Sequence, residues 1–294
     1  MNSPLPPPDP PIRASTSDSE PSLVRPPPSL IERHRLRMIA HLHRQVSWGL
    51  HLSFLNPDLV ESCGALGFHW LFLDGERTAV TPANCRELVR AADLAGMFCL
   101  ARVTGIHTTE IEGYLDAGVL GILAPNISNA EQAEALVCAV KFPRRGRRRA
   151  STHSRAASYG VCNDSGRATL IGAHQARHFH TANAATFTAA LIENQAGIEH
   201  LEEILAVPGL DFLALGPSDL ALSLGCDNSD HPRVKTLLDA ARRRLTAARR
   251  PQIAVIDESQ SAAEAVAQGS TLVAIPDAVL LNSAGLRFLS NTPL

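Results

Sequence analysis

Asp74, Gly75, Glu76 and Arg77 follow directly on the apolar run 68-FHWLFL-73, so three charges close a segment built to be buried. Other apolar runs end the same way. Arg102 follows 97-MFCLA-101, Asn126 follows 118-GVLGILAP-125, Glu193 and Asn194 follow 189-AALI-192, and Asp219 lies in 216-GPSDL-220 after 211-DFLAL-215. A lone Glu in such a place is most often a cap or a surface charge. Several polar residues at matching ends point to one shared site. Two carboxylates, Glu193 and Asp219, with waters suit a hard octahedral cation such as Mg2+. Asp74 or Glu76 would orient water beside them, and Arg77 is a second cation at the rim. The guanidinium of Arg102 suits two-pronged binding of a substrate carboxylate or keto oxygen. A divalent ion next to such a clamp can polarise a 2-oxo acid and stabilise its enolate. The turn Gly216-Pro217-Ser218 can turn the N–H groups of Ser218 and Asp219 toward a substrate carboxylate.

The elements that must hold these residues are legible as a rhythm. Eight runs alternate with amphipathic stretches: 47–54, 68–74, 97–103, 118–125, 189–194, 211–217, 252–257 and 271–276. Each run is nearly continuously apolar, as parallel strands covered on both faces should be. Asn56-Pro57-Asp58, Ser128-Asn129, Gly197 and Pro232 each introduce a helical segment, and further helices are expected over 259–268 and 278–289. This is the pattern of an α/β chain folded as a (β/α)8 TIM barrel, whose functional side chains gather at the C-terminal ends of the strands. A doubly wound open sheet is the alternative. It would place a Gly-rich phosphate turn after the first strand, where this chain has Leu52-Ser53-Phe54-Leu55.

Two segments depart from the rhythm. Ten of the first 28 residues are proline, so residues 1–30 are read as a disordered Pro/Ser-rich tail ahead of a barrel domain spanning 31–294. Residues 143–188 separate two strands by far more than a loop and are read as a long basic, His-containing loop. Its arginines, Arg144 to Arg149, could meet an anion or an RNA, but such charge blocks are usually solvated. His174 and His178 have the spacing of a metal pair without a close acidic or Cys partner. A net charge of -2 argues against nucleic-acid or membrane-surface binding. No apolar run reaches the roughly 20 residues that a membrane helix needs. The six cysteines are scattered without a CxxC pair, as expected for reduced thiols in the cytoplasm.

The ordered motifs 67-GFHWLFLDGE-76, 102-RV-103, 115-LDAGVLGILAPNISNAEQAE-134, 192-IEN-194, 208-PGLDFLALGPSDLALSLG-225 and 231-HPRV-234 give the chain a specific likeness. Over roughly residues 47 to 290 it resembles the HpcH/HpaI aldolase family, the 2-oxo-acid aldolases related to citrate lyase β subunits and macrophomate synthase. The resemblance implies a (β/α)8 barrel assembled as a homo-oligomer, trimer or hexamer, with the last helix exchanged between neighbours. It implies a divalent metal held by Glu193 and Asp219, Mg2+ foremost with Mn2+ or Co2+ as alternatives. It implies that Arg102 binds the keto-acid oxygens. The implied reaction is reversible aldol cleavage of 4-hydroxy-2-oxo acids, or oxaloacetate decarboxylation, through a pyruvate enolate.

Three positions depart from the family pattern. Arg77 stands where the family has a His that pairs with the Asp and manages the basic water. A guanidinium stays protonated and cannot be that base. Leu191 replaces a common Gln, and Arg149 occupies the last glycine place of the loop after the fourth strand. These changes favour a step that needs no base, such as decarboxylation, over ordinary aldol cleavage. The competing reading is a catalytically impaired relative acting as a binding or scaffold protein.

Overall fold

Strands whose two faces are both covered carry almost no polar side chains, and all five residues of 70-WLFLD-74 are buried. The computed structural model describes residues 46–164, 167–170, 175–257 and 261–291, together with Arg35, Leu36, Met38, Ile39 and Leu42. The Pro-rich tail and His174 lie outside the described residues. In chain order the strands are β1 (Ser47–Leu52), β2 (Trp70–Asp74), β3 (Phe98–Arg102), β4 (Gly121–Ala124), β5 (Val161–Asp164), β6 (Arg167–Leu170), β7 (Phe187–Ile192), β8 (Phe212–Leu215), β9 (Gln252–Val255) and β10 (Ser270–Pro276). All but β5 and β6 close in the order β1-β10-β9-β8-β7-β4-β3-β2. Every pairing in that ring is parallel. The eight-stranded barrel predicted from the spacing of the apolar runs is thus present.

Alternation along the strands divides the core. Leu50, Leu52, Leu71, Leu73, Cys99 and Ala101 pack outward with the helices. Trp70, Phe72, Phe98, Leu100, Phe187 and Phe212 point inward. Trp70 stacks on Phe98 at 6.1 Å between centroids, and Phe187 meets Phe98 and Phe212 edge-on at 6.0 and 5.3 Å. These rings plug the lower barrel. The inward positions become charged toward the C-terminal ends of the strands, at Asp74 of β2 and Arg102 of β3, where the plug stops.

Helix starts follow local chemistry. Asn56 accepts from the N–H groups of Asp58 and Leu59, with Pro57 in the first helical position of Pro57–Ala65. Asn129 caps Ala130–Val140, and Ser261 forms a reciprocal capping box with Glu264. The helix expected after Gly197 begins earlier. Asn194 caps the N–H of Gly197, and the segment splits at His200 into Gln195–Glu199 and Leu201–Leu205.

Residues 143–188, read from sequence as one long loop, include the antiparallel hairpin β5–β6 and the helix Gln175–Ala185. Their basic run is partly committed to the fold. Arg148 is buried, donates to Asp116 at 2.9 Å and lies 4.4 Å from the centroid of the Phe142 ring. Arg149 grips Glu112 through Nε and Nη2, and Arg155 binds Asp93. Arg149 is absent from the described positive-φ residues, so the family's glycine place tolerates a side chain here. His178 is buried against Phe142 and Phe179. That is the environment of a core histidine.

The final helix, Asp277–Ser290, is tied to the mouth of the barrel by a single buried carboxylate. Asp277 accepts from the N–H groups of Ser53 at 2.9 Å, Phe54 at 3.0 Å and Ala278 at 2.7 Å. Asp277→Ala leaves these donors without an acceptor and is expected to cost about 2–3 kcal/mol. A urea unfolding midpoint that does not move would show that this tie contributes nothing.

Candidate active site

Strand periodicity brings the polar side chains together. On β2 the inward positions are Trp70, Phe72 and Asp74; Asp74 pairs in register with Arg102 of β3. Asp74 is 1% exposed. Its Oδ1 accepts from Arg102 Nε at 2.9 Å, and its Oδ2 accepts from Arg102 Nη2 at 2.5 Å. Oδ1 also accepts the backbone N–H groups of Glu76 and Arg77, each at 3.1 Å. Burial alone would raise the Asp74 pKa. The His51 and Arg102 side chains and the Arg77 N–H outweigh it and hold the carboxyl well below the usual carboxylate range. The pair therefore stabilises the fold above ordinary carboxylate pKa values and loses that contribution only as pH falls toward the lowered one.

Gly75 allows this turn to sit close. Its N–H donates to Arg102 O at 2.8 Å, and a Cβ there would fall 2.4 Å from Tyr114 Oη. Arg102 Nη1 lies 3.2 Å from Glu76 Oε2, and its guanidinium carbon lies 5.9 Å from the Phe72 ring centroid. A guanidinium has five N–H bonds in a fixed fork. With two donated to Asp74 and one facing Glu76, one N–H on each Nη is left for a ligand.

Across the opening, β7 ends at Ile192 and presents Glu193, which is 7% exposed. Its Oε1 accepts the N–H of Asn126 at 2.8 Å. Asn126 has φ of 56°, a left-handed conformation that Asn tolerates better than most residues. Asn194 fixes that turn by donating to Asn126 Oδ1 at 2.5 Å. Burial, with the charges of Asp219 and Glu76, pushes the Glu193 carboxyl up to about 7 against the opposing Asn126 N–H and Arg102. Gly216 backs the carboxylate; a Cβ there would stand 2.6 Å from Glu193 Cβ and 2.8 Å from Oε2. Pro217, Ser218 and Asp219 follow as the first turn of the short helix Pro217–Ser223. Gly216→Ala is expected to displace Glu193 and weaken divalent-cation binding by about tenfold or more, a shift of 1.4 kcal/mol. Titration of the variant with Mn2+ checks this, and unchanged affinity would count against the contact.

Arg77 is more exposed than its neighbours, and its Nη2 lies 3.5 Å from Glu76 Oε1 and 3.7 Å from Asp219 Oδ2. Ion pairs and close contacts thus link Asp74, Glu76, Arg77, Arg102 and Asp219 and set Gly216 against Glu193, while Pro217 and Ser218 follow Gly216 in the adjoining helix turn. Sequence reasoning missed His51 of β1. Its Nε2 lies 3.4 Å from Asp74 Oδ2, and its ring packs 4.8 Å from that of Phe72. The signal was a single titratable residue in the apolar run 47-SWGLHLSF-54, next to the last residue of the strand as folded.

The donor set tests the expected cation. Among the described residues no three His, Cys, Asp or Glu side chains converge as a metal cluster. Glu193 and Asp219 provide two carboxylates, the number that Mg2+ commonly takes while keeping waters or substrate oxygens. A mostly buried carboxyl raised by neighbouring negative charge favours a cation beside it. The residues present fit such an ion.

Comparisons with known proteins show the chain's family and fold. The family model for HpcH/HpaI aldolase/citrate lyase matches residues 47–276. A hydroxypyruvate/pyruvate aldolase of Roseobacter denitrificans is 32% identical over 240 residues, 80% of this chain and 89% of that protein. An HpcH/HpaI aldolase/citrate lyase family protein of Burkholderia cenocepacia superposes with a TM-score of 0.75 at 24% identity, covering 88% of this chain and 98% of the other. Macrophomate synthase superposes at 0.72 with 17% identity over 88% of each chain. CitE of Mycobacterium tuberculosis, solved with magnesium and acetoacetate, superposes at 0.50 with 15% identity, covering 80% of this chain and 87% of CitE. At these identities the solved structures speak for the barrel, while the family model and the Roseobacter aldolase speak for descent. The chain belongs to the HpcH/HpaI aldolase/citrate lyase family, aldolases and lyases that act on 2-oxo acids.

Proposed function

We propose that this protein is a metal-dependent carbon–carbon lyase that works on a 2-oxo acid through a pyruvate-type enolate, by aldol cleavage and condensation or by oxaloacetate decarboxylation. The observation that carries the reading is the fork of Arg102 on buried Asp74, which holds the guanidinium in place and leaves one N–H on each Nη for a ligand. Glu193 and Asp219 would hold the divalent cation, Mg2+ foremost with Mn2+ or Co2+ as alternatives. When bound, the ion supplies Lewis-acid polarisation of the keto group. The CitE structure with magnesium supports that assignment by analogy of fold.

Arg102 binds the carboxylate or keto oxygen and stabilises charge as the enolate forms. Asp74 fixes the guanidinium so that little reorganisation is needed at that moment. Glu76 and Arg77 line the rim, where Arg77 adds positive charge for an anionic substrate. Gly216, Pro217 and Ser218 border the substrate at the facing edge. An impaired, scaffold-like relative would have no reason to keep both the Asp74–Arg102 fork and the supported Glu193 carboxylate.

Assembly is the second part of the proposal. Leu281, Leu286, Phe288 and Leu289 of the last helix are each more than 60% exposed, an apolar surface suited to a second copy of this chain. The expected state is a homo-oligomer, trimer or hexamer, read by light scattering. No described helix is long and apolar enough to cross a membrane. Cys63, Cys85, Cys99, Cys138 and Cys226 are free thiols, in keeping with a cytoplasmic setting.

Oxalate tests the site without turnover, because its planar dianion has the shape and charge of a pyruvate enolate. Enolate-complementary sites bind such analogues far more tightly than substrate. Calorimetry should show oxalate binding that requires Mg2+ or Mn2+ and is tighter than pyruvate binding. Oxalate no tighter than pyruvate, or indifferent to the cation, would contradict the proposal.

A further inference from the structure

Enolate chemistry at this opening requires a group that moves a proton. Aldol condensation requires removal of a proton from the carbon beside the keto group, and aldol cleavage returns it. Among the polar groups at the opening, most are unsuited to this. Arg77 and Arg102 stay protonated. Asp74 accepts four hydrogen bonds. Glu76 is held between the two guanidinium groups. Glu193 and Asp219 are assigned to the cation.

His51 is placed differently. Leu50 and Leu52 on either side of it belong to the outer core, so His51 points into the barrel, and it pairs in register with inward Phe72. It therefore lies one layer below the Asp74–Arg102 pair, on the floor of the opening. Its Nε2 faces Asp74 Oδ2 at 3.4 Å, while Nδ1 is buried without a hydrogen-bond partner. An unsatisfied buried polar atom is uncommon, and one beneath the opening marks a place prepared for a ligand or an ordered water. Catalytic hydrogen bonds are often long before substrate binds and tighten in the complex.

We propose that His51 is the proton-transfer residue of this site, taking the proton from the carbon next to the keto group of a bound 2-oxo acid and returning it in the reverse direction. This rests on the enolate reading above. Ionised Asp74 can only accept, so it selects the tautomer with hydrogen on Nε2 and leaves the Nδ1 lone pair as the base. In the forward step the C3–H bond breaks and its proton joins Nδ1. The C–H electron pair becomes the C2=C3 bond, and the former carbonyl π pair moves onto the C2 oxygen. In condensation C3 then bonds to the carbonyl carbon of an aldehyde, and the new alkoxide takes the proton back from the imidazolium. Arg77 is thus relieved of a role it cannot perform, and aldol chemistry stays open to this chain.

Two reactions on the same protein separate the claims. Exchange of pyruvate methyl protons with D2O, followed by NMR, requires proton abstraction. Oxaloacetate decarboxylation forms the same enolate by breaking a C–C bond and needs no base. In full-length protein with Mn2+, His51→Gln and His51→Phe are both expected to slow exchange by about 10²–10⁴-fold. Decarboxylation should stay within about tenfold of wild type. Equal losses in both reactions would make His51 merely structural, and unchanged exchange would exclude it. Wild-type decarboxylation without any exchange would overturn the His51 role alone. Wild-type protein with neither reaction would overturn the enolate reading, and the role of His51 with it.

Discussion

Arg102→Lys is expected to lower turnover of a 2-oxo acid by about 10²–10³-fold, the usual loss when one preorganised donor to a developing oxyanion is removed. The reason lies in the distribution of its five N–H bonds. Nε and Nη2 are spent on Asp74 at 2.9 and 2.5 Å, and Nη1 faces Glu76 at 3.2 Å. The fork does two things at once: it neutralises a carboxylate that is 1% exposed and leaves N–H bonds for the proposed substrate contact. A lysine carries its donors on a single atom and cannot span both partners. Asp74 would retain the N–H groups of Glu76 and Arg77, so the turn itself should persist. The loss should fall on kcat more than on KM if the contact strengthens as the enolate forms. Steady-state kinetics with far-ultraviolet circular dichroism as a folding control would check it. Near-normal kcat would remove Arg102 from the reaction.

Glu193→Gln should be as damaging and for a different reason. The amide keeps an oxygen to accept from Asn126, now at 2.8 Å, so the local hydrogen bonding survives while the charge is lost. With one of the two proposed carboxylate ligands neutral, a bound cation would lose half of its protein donors. Binding of Mn2+, read by electron paramagnetic resonance, is expected to weaken by about 10²-fold or more, with activity falling in step. Asp219→Asn should behave alike. Its carboxylate also faces Arg77 Nη2 at 3.7 Å, so this variant additionally frees the guanidinium. Variants that bind Mn2+ like wild type would exclude this pair as the metal site.

Much of this arrangement can be read from residue order. The barrel strands are unbroken apolar runs between capped helices, and a parallel strand buried on both faces has few other ways to be written. Asp74, Arg102, Glu193 and Asp219 stand out because charge at the end of such a run needs a reason. His51 did not stand out, since it lies inside its run and its partner Asp74 belongs to the neighbouring strand. The aim of the Asn126 N–H depends on a φ of 56°, which residue type permits but does not require. Arg149 reads as a bulky cation in a glycine place, yet it folds onto Glu112 with ordinary backbone geometry. Asp277 looks like a helix-opening acid, and only the fold brings the N–H groups of Ser53 and Phe54 to it. In each case the missing information is a contact between elements distant in sequence.

If this opening forms the enolate of a 2-oxo acid with the help of a divalent ion, the protein should release pyruvate from oxaloacetate when Mg2+ or Mn2+ is supplied. Pyruvate formation is expected well above the rate of the free ion, and is expected to be abolished by chelation and by Glu193→Gln. Pyruvate formation no faster than with the ion alone, at concentrations where Mn2+ is measurably bound to the protein, would contradict the enolate reading.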